Sequence, residues 1–334
     1  ENSELSEKLK NYEEENKELK EESKASKENN FVELTESENL IFSKLFNLND
    51  YYVESQRVIK KVFVNNDKFL FLISEDANRI FYIKYNKVNP IETISTIIQL
   101  SNNNGKIIFD DIIFDENNIF ALVGNEVYKN SYNDISLSEG DIEVEKINEF
   151  SEIKVENELA KYIIIQNELF YFYFHENLND LQEENSNEIG FINMSLNNNL
   201  NSGGSIGLDD SIKHCKSVNV NYDPSRQILY LLLTTEDAGY LLSFNKSGNS
   251  FEHIKTIEIN KPDTLPEKIL ISEQETSKKI MIYFNDESLN YYDSNLELIR
   301  ENILIKLEEN VSLRIDDIFI NNGYLFILDN LNNI

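Results

Sequence analysis

The sequence predicts an all-β fold assembled from a repeated strand–turn–strand unit, and three observations carry that expectation. The first is a pair of matching stretches, Arg314–Leu328 (RIDDIFINNGYLFIL) and Phe109–Val123 (FDDIIFDENNIFALV). Each sets an acidic pair before an apolar strand, then a tight polar turn (Asn321-Asn322-Gly323 or Glu116-Asn117-Asn118), then a longer apolar strand, which is the pattern of a hairpin. The second is that weaker copies stand at Lys61–Ile73, Lys161–Tyr173, Ser217–Leu233 and Lys268–Phe284, making about six copies at a period of roughly fifty residues. The third is that the apolar residues of each copy run nearly unbroken instead of alternating. That pattern suits a sheet whose two faces are both covered by neighbours.

Each repeat is expected to hold four strands. In the first, Lys61–Val64 and Phe69–Ser74 form the hairpin, Arg79–Tyr85 the third strand and Ile91–Leu100 the outer one. A period near fifty residues is that of propeller blades and similar arrays, and Leu40–Ile334 resembles β-propellers in general. No WD dipeptide, kelch di-glycine or paired catalytic histidines mark a particular family. The resemblance implies a six-bladed β-propeller over residues 39–334, preceded over residues 1–38 by an acidic segment that is α-helical, coiled-coil or disordered. The last copy ends at Leu328 and only Asp329–Ile334 follow. Ring closure then predicts that a segment within Leu40–Gln56 supplies the missing outer strand and removes an open sheet edge.

The N-terminal stretch Glu1–Asn30 lacks Gly and Pro, and Leu5, Leu9, Tyr12, Asn16, Leu19 and Ser23 are spaced alternately four and three apart. This is a heptad seam in which Asn16 falls at an a position, where a buried amide fixes register and oligomeric state at a cost in stability. Leu5, Leu9, Tyr12, Asn16 and Leu19 are therefore the candidate oligomerisation residues of a weak homodimer. A solvated helix, or a docking element for another protein, fits the same pattern.

Charge narrows the partners. The chain of 334 residues carries a formal net charge of −29 and a pI near 4.4, which repels phosphate backbones and anionic lipid headgroups. Nucleic acid is excluded as a natural partner; basic proteins, and cations held by carboxylates, are not. A single cysteine, Cys215, precludes an intrachain disulfide framework. No apolar run approaches the roughly 20 residues of a spanning helix, so a soluble chain without direct membrane insertion is expected. The chain starts at Glu1 without a leader, so any signal peptide would lie outside this sequence. Asparagine is over-used, as in Asn102-Asn103-Asn104 and Asn197-Asn198-Asn199. That bias resembles proteins of AT-rich apicomplexan parasites, and the resemblance implies a secreted, vacuolar or host-interface protein as one reading beside a cytoplasmic one.

Several motifs invite a chemical reading. Gly203-Gly204-Ser205-Ile206-Gly207 matches the G-x-S-x-G elbow, but its flanks read as polar loop where the elbow needs a strand before it and a helix after it. His175, His214, His253 and Cys215 lack the short spacings at which a closed zinc site takes its four N or S ligands. The adjacent His214 and Cys215 would face opposite sides of an extended strand. The sharpest polar feature is the pair of acidic doublets, Asp110-Asp111 and Asp316-Asp317, at the same place in two repeats. Converging carboxylates could bind a hard cation such as calcium; an Asp at a strand entrance also caps a turn. Other repeats carry Lys60-Lys61, Ala160-Lys161 and Glu267-Lys268 there, which argues against a symmetric metal ring and for the turn. The third repeat has two insertions, His175–Asn187 and Leu196–Lys216, expected as disordered or ligand-binding loops. Formal glycosylation acceptors stand at Asn193, Asn245 and Asn310.

No catalytic residue and no cofactor is expected. The favoured function is a non-enzymatic protein–protein interaction scaffold. The alternatives are a propeller enzyme or metal-dependent hydrolase using the central channel, and the secreted parasite protein described above.

Overall fold

The computed structural model describes residues 39–42, 59–65, 69–74, 80–84, 95–109, 111–114, 118–123, 126–131, 140–149, 159–166, 168–175, 188–195, 201–209, 211–272, 278–307, 315–321 and 324–329. The chain divides into two compact units, Glu1–Leu40 and Ile41–Ile334. The heptad residues Leu5, Leu9, Tyr12, Asn16 and Leu19 belong to the first and lie outside the described residues.

Every described element of length is a strand. After β1 (Asn39–Phe42), a first sheet runs β2 (Ile59–Asn65), β3 (Phe69–Ser74), β4 (Ile80–Lys84) and β5 (Ser95–Asn102), and β5 turns back into the short β6 (Gly105–Lys106). The second sheet holds β7 (Asp111–Phe114), β8 (Asn118–Val123) and β9 (Glu126–Ser131); β10 (Gly140–Glu143) and β11 (Glu145–Glu149) come next in the chain. The third is β12 (Ala160–Ile165), β13 (Glu168–His175), β14 (Glu188–Ser195) and β15 (Asn201–Gly207). The fourth is β16 (Ser217–Asp223), β17 (Ile228–Thr234), β18 (Gly239–Ser247) and β19 (Ser250–Ile259). The fifth is β20 (Pro266–Ile271), β21 (Ile280–Phe284), β22 (Ser288–Tyr292) and β23 (Leu298–Leu307), and a last hairpin pairs β24 (Ile315–Asn321) with β25 (Tyr324–Asp329).

The hairpins expected from the sequence are all present as β2–β3, β7–β8, β12–β13, β16–β17, β20–β21 and β24–β25, each antiparallel. Within a sheet the strands follow sequence order, the arrangement of a propeller blade. The first strands of successive sheets neighbour one another in the series β7, β12, β16, β20, β24, and β24 in turn neighbours β2. The architecture is all-β and propeller-like.

The unbroken apolar runs find their reason in the cores, which lie between sheets. On β17, Leu229, Leu231 and Leu233 join Phe170, Phe172 and Phe191 of the third sheet. The alternate residues Tyr230 and Leu232 join Ile280 and Ile282 of the fifth. Strand β13 divides the same way, with Phe170, Phe172 and Phe174 toward the fourth sheet and Leu169 and Tyr171 toward Ile113, Phe120 and Leu122 of the second. A period of two thus serves two cores at once, and both sets are apolar. Phe251 closes one core with edge-on contacts to Phe170, Phe172 and Phe191 at centroid distances of 5.6, 5.4 and 5.1 Å, the geometry favoured by ring quadrupoles.

One sequence expectation is corrected here. Leu196–Lys216, read as an inserted loop, contains β15, the outer strand of the third sheet, and the G-x-S-x-G stretch lies within it. Gly204 is there for packing: it faces Phe191 across the strand pair, and a Cβ on it would stand 2.7 Å from the Phe191 ring. Gly190 takes the same part beneath Tyr173, where a Cβ would come within 2.2 Å of the ring. Of the other insertion, His175 ends β13, and residues 176–187 lie outside the described residues.

β11 is the fourth strand of the second sheet, and two additional strands, β10 and β1, cover outer edges. β10 pairs parallel with β5 of the first sheet, and β11 then pairs antiparallel with β9 of the second. The junction residue Val144 is buried, and its N–H donates to the Ser101 carbonyl at 2.7 Å. At the other end, β1, whose Ile41 and Phe42 belong to the second unit, stands beside β23. The stretch expected to complete the last sheet, Leu40–Gln56, therefore starts next to the fifth; residues 43–58 lie outside the described residues. No helix among the described residues is long and apolar enough to cross a membrane.

Candidate functional site

A cavity of about 740 Å³ opens on the inner strands β16, β20 and β24, lined among others by Asn219, Asn221, Ser225, Lys268, Lys278 and Phe319. Its size is that of a small-molecule pocket. The polar groups around it arise from the alternation of β16. Val218, Val220 and Tyr222 pack with the core toward the third sheet, which leaves Asn219, Asn221 and Asp223 on the face toward the fifth.

Those three residues stitch the fourth sheet to the fifth. Asn219 Nδ2 donates to the Glu267 carbonyl at 2.7 Å and Asn221 Nδ2 to the Ile269 carbonyl at 3.4 Å. Asp223, buried, accepts from Ser225 N–H at 3.0 Å and Ser225 Oγ at 2.7 Å, and its carboxylate is ion-paired with Lys278. Burial pushes the Asp223 carboxyl up, but the hydrogen bonds from Lys278 and Ser225 outweigh it and hold the group below its ordinary value. Thr234 Oγ1 adds a bond to the Pro266 carbonyl at 2.7 Å.

The next interface carries Lys268 of β20, ion-paired with Asp317 of β24. Asp317 Oδ1 also accepts from the Ile318 amide at 2.9 Å, as Asp111 Oδ1 does from the Ile112 amide at 2.8 Å. Two of the four sequence-predicted carboxylates thus bond the amide of the next residue, Asp111 as the first residue of β7 and Asp317 as the third of β24. Asp316 lies on β24 with its side chain outside the described residues, and Asp110 is likewise outside them. No cluster of three or more His, Cys, Asp or Glu side chains that could hold a metal ion occurs among the described residues.

A second latch repeats the Asp223 arrangement. Asp286 Oδ1 accepts from Ser288 Oγ at 2.6 Å and from its amide at 3.3 Å, while Lys261 Nζ lies 2.5 Å from Asp286 Oδ2 and 4.9 Å from the Phe284 ring centroid. Lys261 also donates to Ser288 Oγ at 2.5 Å. Serine beside lysine suggests a nucleophile–base pair, but Ser288 is fully buried and Lys261 is ion-paired with the Asp286 carboxylate. The set works as a structural clasp. For Asp286 too, burial raises the carboxyl while Lys261 and Ser288 lower it further than burial lifts it.

The other sequence candidates are placed separately. Ser205 is exposed on β15 opposite Gly190, in mid-strand with no strand-to-helix turn. His214 is exposed with φ of 51°, and Cys215 is buried with its thiol donating to the Ser217 carbonyl at 3.2 Å. His253 stacks edge-on against Phe244 at 5.5 Å and bonds Thr256 Oγ1 at 2.8 Å through Nε2. Asn193, a formal glycosylation acceptor, is buried with Ser202 bonded to its Oδ1. Asn219, Asn221, Asp223 and Lys278 were not singled out from the sequence. Two signals point to them: the D-x-S turns at Asp223-Pro224-Ser225 and Asp286-Glu287-Ser288, and bonds that join equivalent places one repeat apart.

No protein-family model and no curated protein sequence matches the chain. Among solved structures, the chain is similar to BamB from Moraxella catarrhalis (8% identity over 81% of this chain and 70% of that one, TM-score 0.39). It is similar to the first two extracellular domains of Drosophila semaphorin 1a (11% identity, 85% and 75%, TM-score 0.42). A third is a candidate 6-phosphogluconolactonase of Bacteroides fragilis (11% identity, 80% and 76%, TM-score 0.46). The propeller-like architecture rests on the strand order and inter-sheet cores of this chain.

Proposed function

We propose that the chain is a non-enzymatic protein–protein interaction scaffold built on a six-bladed β-propeller. The six sheets and the neighbouring of β24 and β2 support the closed ring. The observation that carries the functional reading is the use made of the inner polar residues. Asn219, Asn221, Asp223, Lys268, Lys278 and Asp317 are bonded from one sheet to the next, so the groups best placed for chemistry hold the ring together. The exposed outer strands remain as recognition surface. Basic proteins are the partners that suit a chain of charge −29, and Leu5, Leu9, Tyr12, Asn16 and Leu19 would add weak dimerisation. Cross-linking with mass spectrometry in the source cell tests the reading: a stoichiometric protein partner is expected. Sedimentation of a Leu9→Asp variant tests the dimer.

The cavity of about 740 Å³ favours a second reading, an enzyme using the central channel. Turnover on esterase, peptidase or phosphatase substrates that disappears in Lys268→Ala or Lys278→Ala, with the fold intact by circular dichroism, would establish it and overturn the scaffold.

A further inference from the structure

Five large apolar side chains are exposed among the described residues, and four of them, Ile254, Leu298, Ile299 and Leu304, lie on β19, the outer strand of the fourth sheet, and on β23, which stands between β22 and β1 in the fifth. Two of the four are put outside by the same device. On β19, His253 and Lys255 pair with successive residues of β18, Phe244 and Ser243, so Ile254 is the extra residue of a bulge. On β23, Leu298 and Arg300 pair with Tyr292 and Tyr291, and Ile299 is again the extra residue. A bulge re-aims a side chain and interrupts the ladder. Here it holds isoleucines 53% and 52% exposed, an arrangement that folding alone does not reward.

The two bulges share a junction. Lys255 Nζ donates to the Asn295 carbonyl at 2.9 Å and is ion-paired with Glu297 at 2.5 Å. Ile254 is the residue before Lys255 and Leu298 the residue after Glu297, so the Lys255–Glu297 pair joins the two stretches of chain that carry these aliphatic residues. Glu252, Glu258, Glu297 and Glu301 are exposed on the same strands and the turn before β23. His253, Lys255 and Arg300 are the cationic or titratable groups beside these glutamates, Lys306 also lies on β23 with its side chain outside the described residues, and Lys255 is committed to Glu297.

We infer that this rim of the fourth and fifth sheets is a docking surface for a basic segment of a partner protein, anchored by aliphatic side chains on Ile254 and Ile299 and oriented by lysine or arginine against the surrounding glutamates. The inference rests on the scaffold reading and names its surface. Apolar anchors inside a charged frame are the composition of an interaction site. A second copy of a chain of charge −29 is a poor occupant, because like charges would meet.

The test uses the full chain and a labelled synthetic peptide of alternating lysine and leucine, with an all-lysine peptide of equal charge as reference, followed by fluorescence anisotropy. The parent should bind the lysine–leucine peptide more tightly than the all-lysine one. Ile254→Ser/Ile299→Ser should weaken that binding by about tenfold. Ile108→Ser, at the remaining exposed aliphatic residue (69%), should leave it unchanged, and all three proteins should melt alike. Equal affinity for both peptides, equal loss in Ile108→Ser, or no loss in the double variant overturns the surface while leaving the scaffold reading standing. A parent that sediments as a dimer and becomes monomeric in the double variant also overturns it, since the occupant is then a second copy. Failure of the scaffold itself would appear separately, as channel-dependent turnover.

Discussion

Lys268 on β20 is ion-paired with Asp317 on β24, 49 positions further along the chain and at the matching place in the next repeat. The sequence shows a lysine at one such position and an aspartate at the other. The fold turns that difference into a tie between neighbouring sheets.

Removing one partner should therefore cost more than removing both. Asp317 is the more buried of the two, with 11% of its side chain exposed against 32% for Lys268. Lys268→Met leaves a half-desolvated carboxylate and is expected to lower unfolding free energy by about 1–3 kcal/mol. Adding Asp317→Asn should recover part of that loss. A double-mutant cycle by urea denaturation should give a coupling of about 0.5 kcal/mol or more, and additive single effects would show that the pair contributes nothing.

Acid sensitivity follows from the two clasps. Asp223 and Asp286 have folded-state carboxyls held below the ordinary value of 3.8. A depressed carboxyl contributes stability that is present above the unfolded-state value and is lost as pH falls through the folded-state value, because the unfolded chain then binds more protons. Stability should thus decline on acidification below about pH 4. Lys278→Met removes the main group that lowers Asp223, so that variant should be less stable at neutral pH and show a shallower decline in acid. Urea midpoints measured across the acid range check both. A parallel decline in parent and variant would count against the clasp.

The six hairpins were legible because two of them, Arg314–Leu328 and Phe109–Val123, keep strand, polar turn and strand in sharp contrast, and the turn residues mark the boundaries. Strand β15 was not legible, since Asn201–Gly207 has neither β-branched density nor alternation. It is a strand because Phe191 needs the space that Gly204 leaves, a relationship between partners that local composition does not carry. The site residues divide similarly. Asp111 and Asp317 could be seen as strand-entrance groups, but Asn219 and Asn221 read as ordinary polar positions until a neighbouring strand supplies the carbonyls they meet.

Gly190 gives a direct check on that packing. An added Cβ would stand 2.2 Å from the Tyr173 ring, and the two residues face each other on β14 and β13. Gly190→Ala should destabilise by about 1–3 kcal/mol through overpacking. Tyr173→Leu should relieve most of the clash, so Gly190→Ala ought to cost markedly less in that background. Thermal melts of the four proteins decide it; an equal cost in both backgrounds would place the strain elsewhere.

The last prediction concerns the strap formed by β10 and β11. Gly140–Glu143 lies parallel to β5 of the first sheet and Glu145–Glu149 antiparallel to β9 of the second, so ten consecutive residues bridge two sheets at their outer edges. Val144, 3% exposed, is the pivot, fixed by the hydrogen bond that its N–H donates to the Ser101 carbonyl. Beyond it, Lys146 lies between Glu126 and Glu149 and holds the start of β11 against β9. Exposed ion pairs of this kind contribute little, so the buried valine should dominate. Val144→Asp would place an unpaired carboxylate at the pivot, at a cost of several kcal/mol if the strap stayed docked. Release of the strap is the lower-energy outcome, and it would expose the edge of β5 to pairing with other chains. Limited proteolysis should then cut within Gly140–Glu149 while the remaining sheets resist, and light scattering should show concentration-dependent association. Val144→Ala keeps the backbone hydrogen bond and loses only part of the burial, so it should be cut far more slowly. If Val144→Asp is cleaved no faster than the parent and stays monomeric, the strap is not held at Val144.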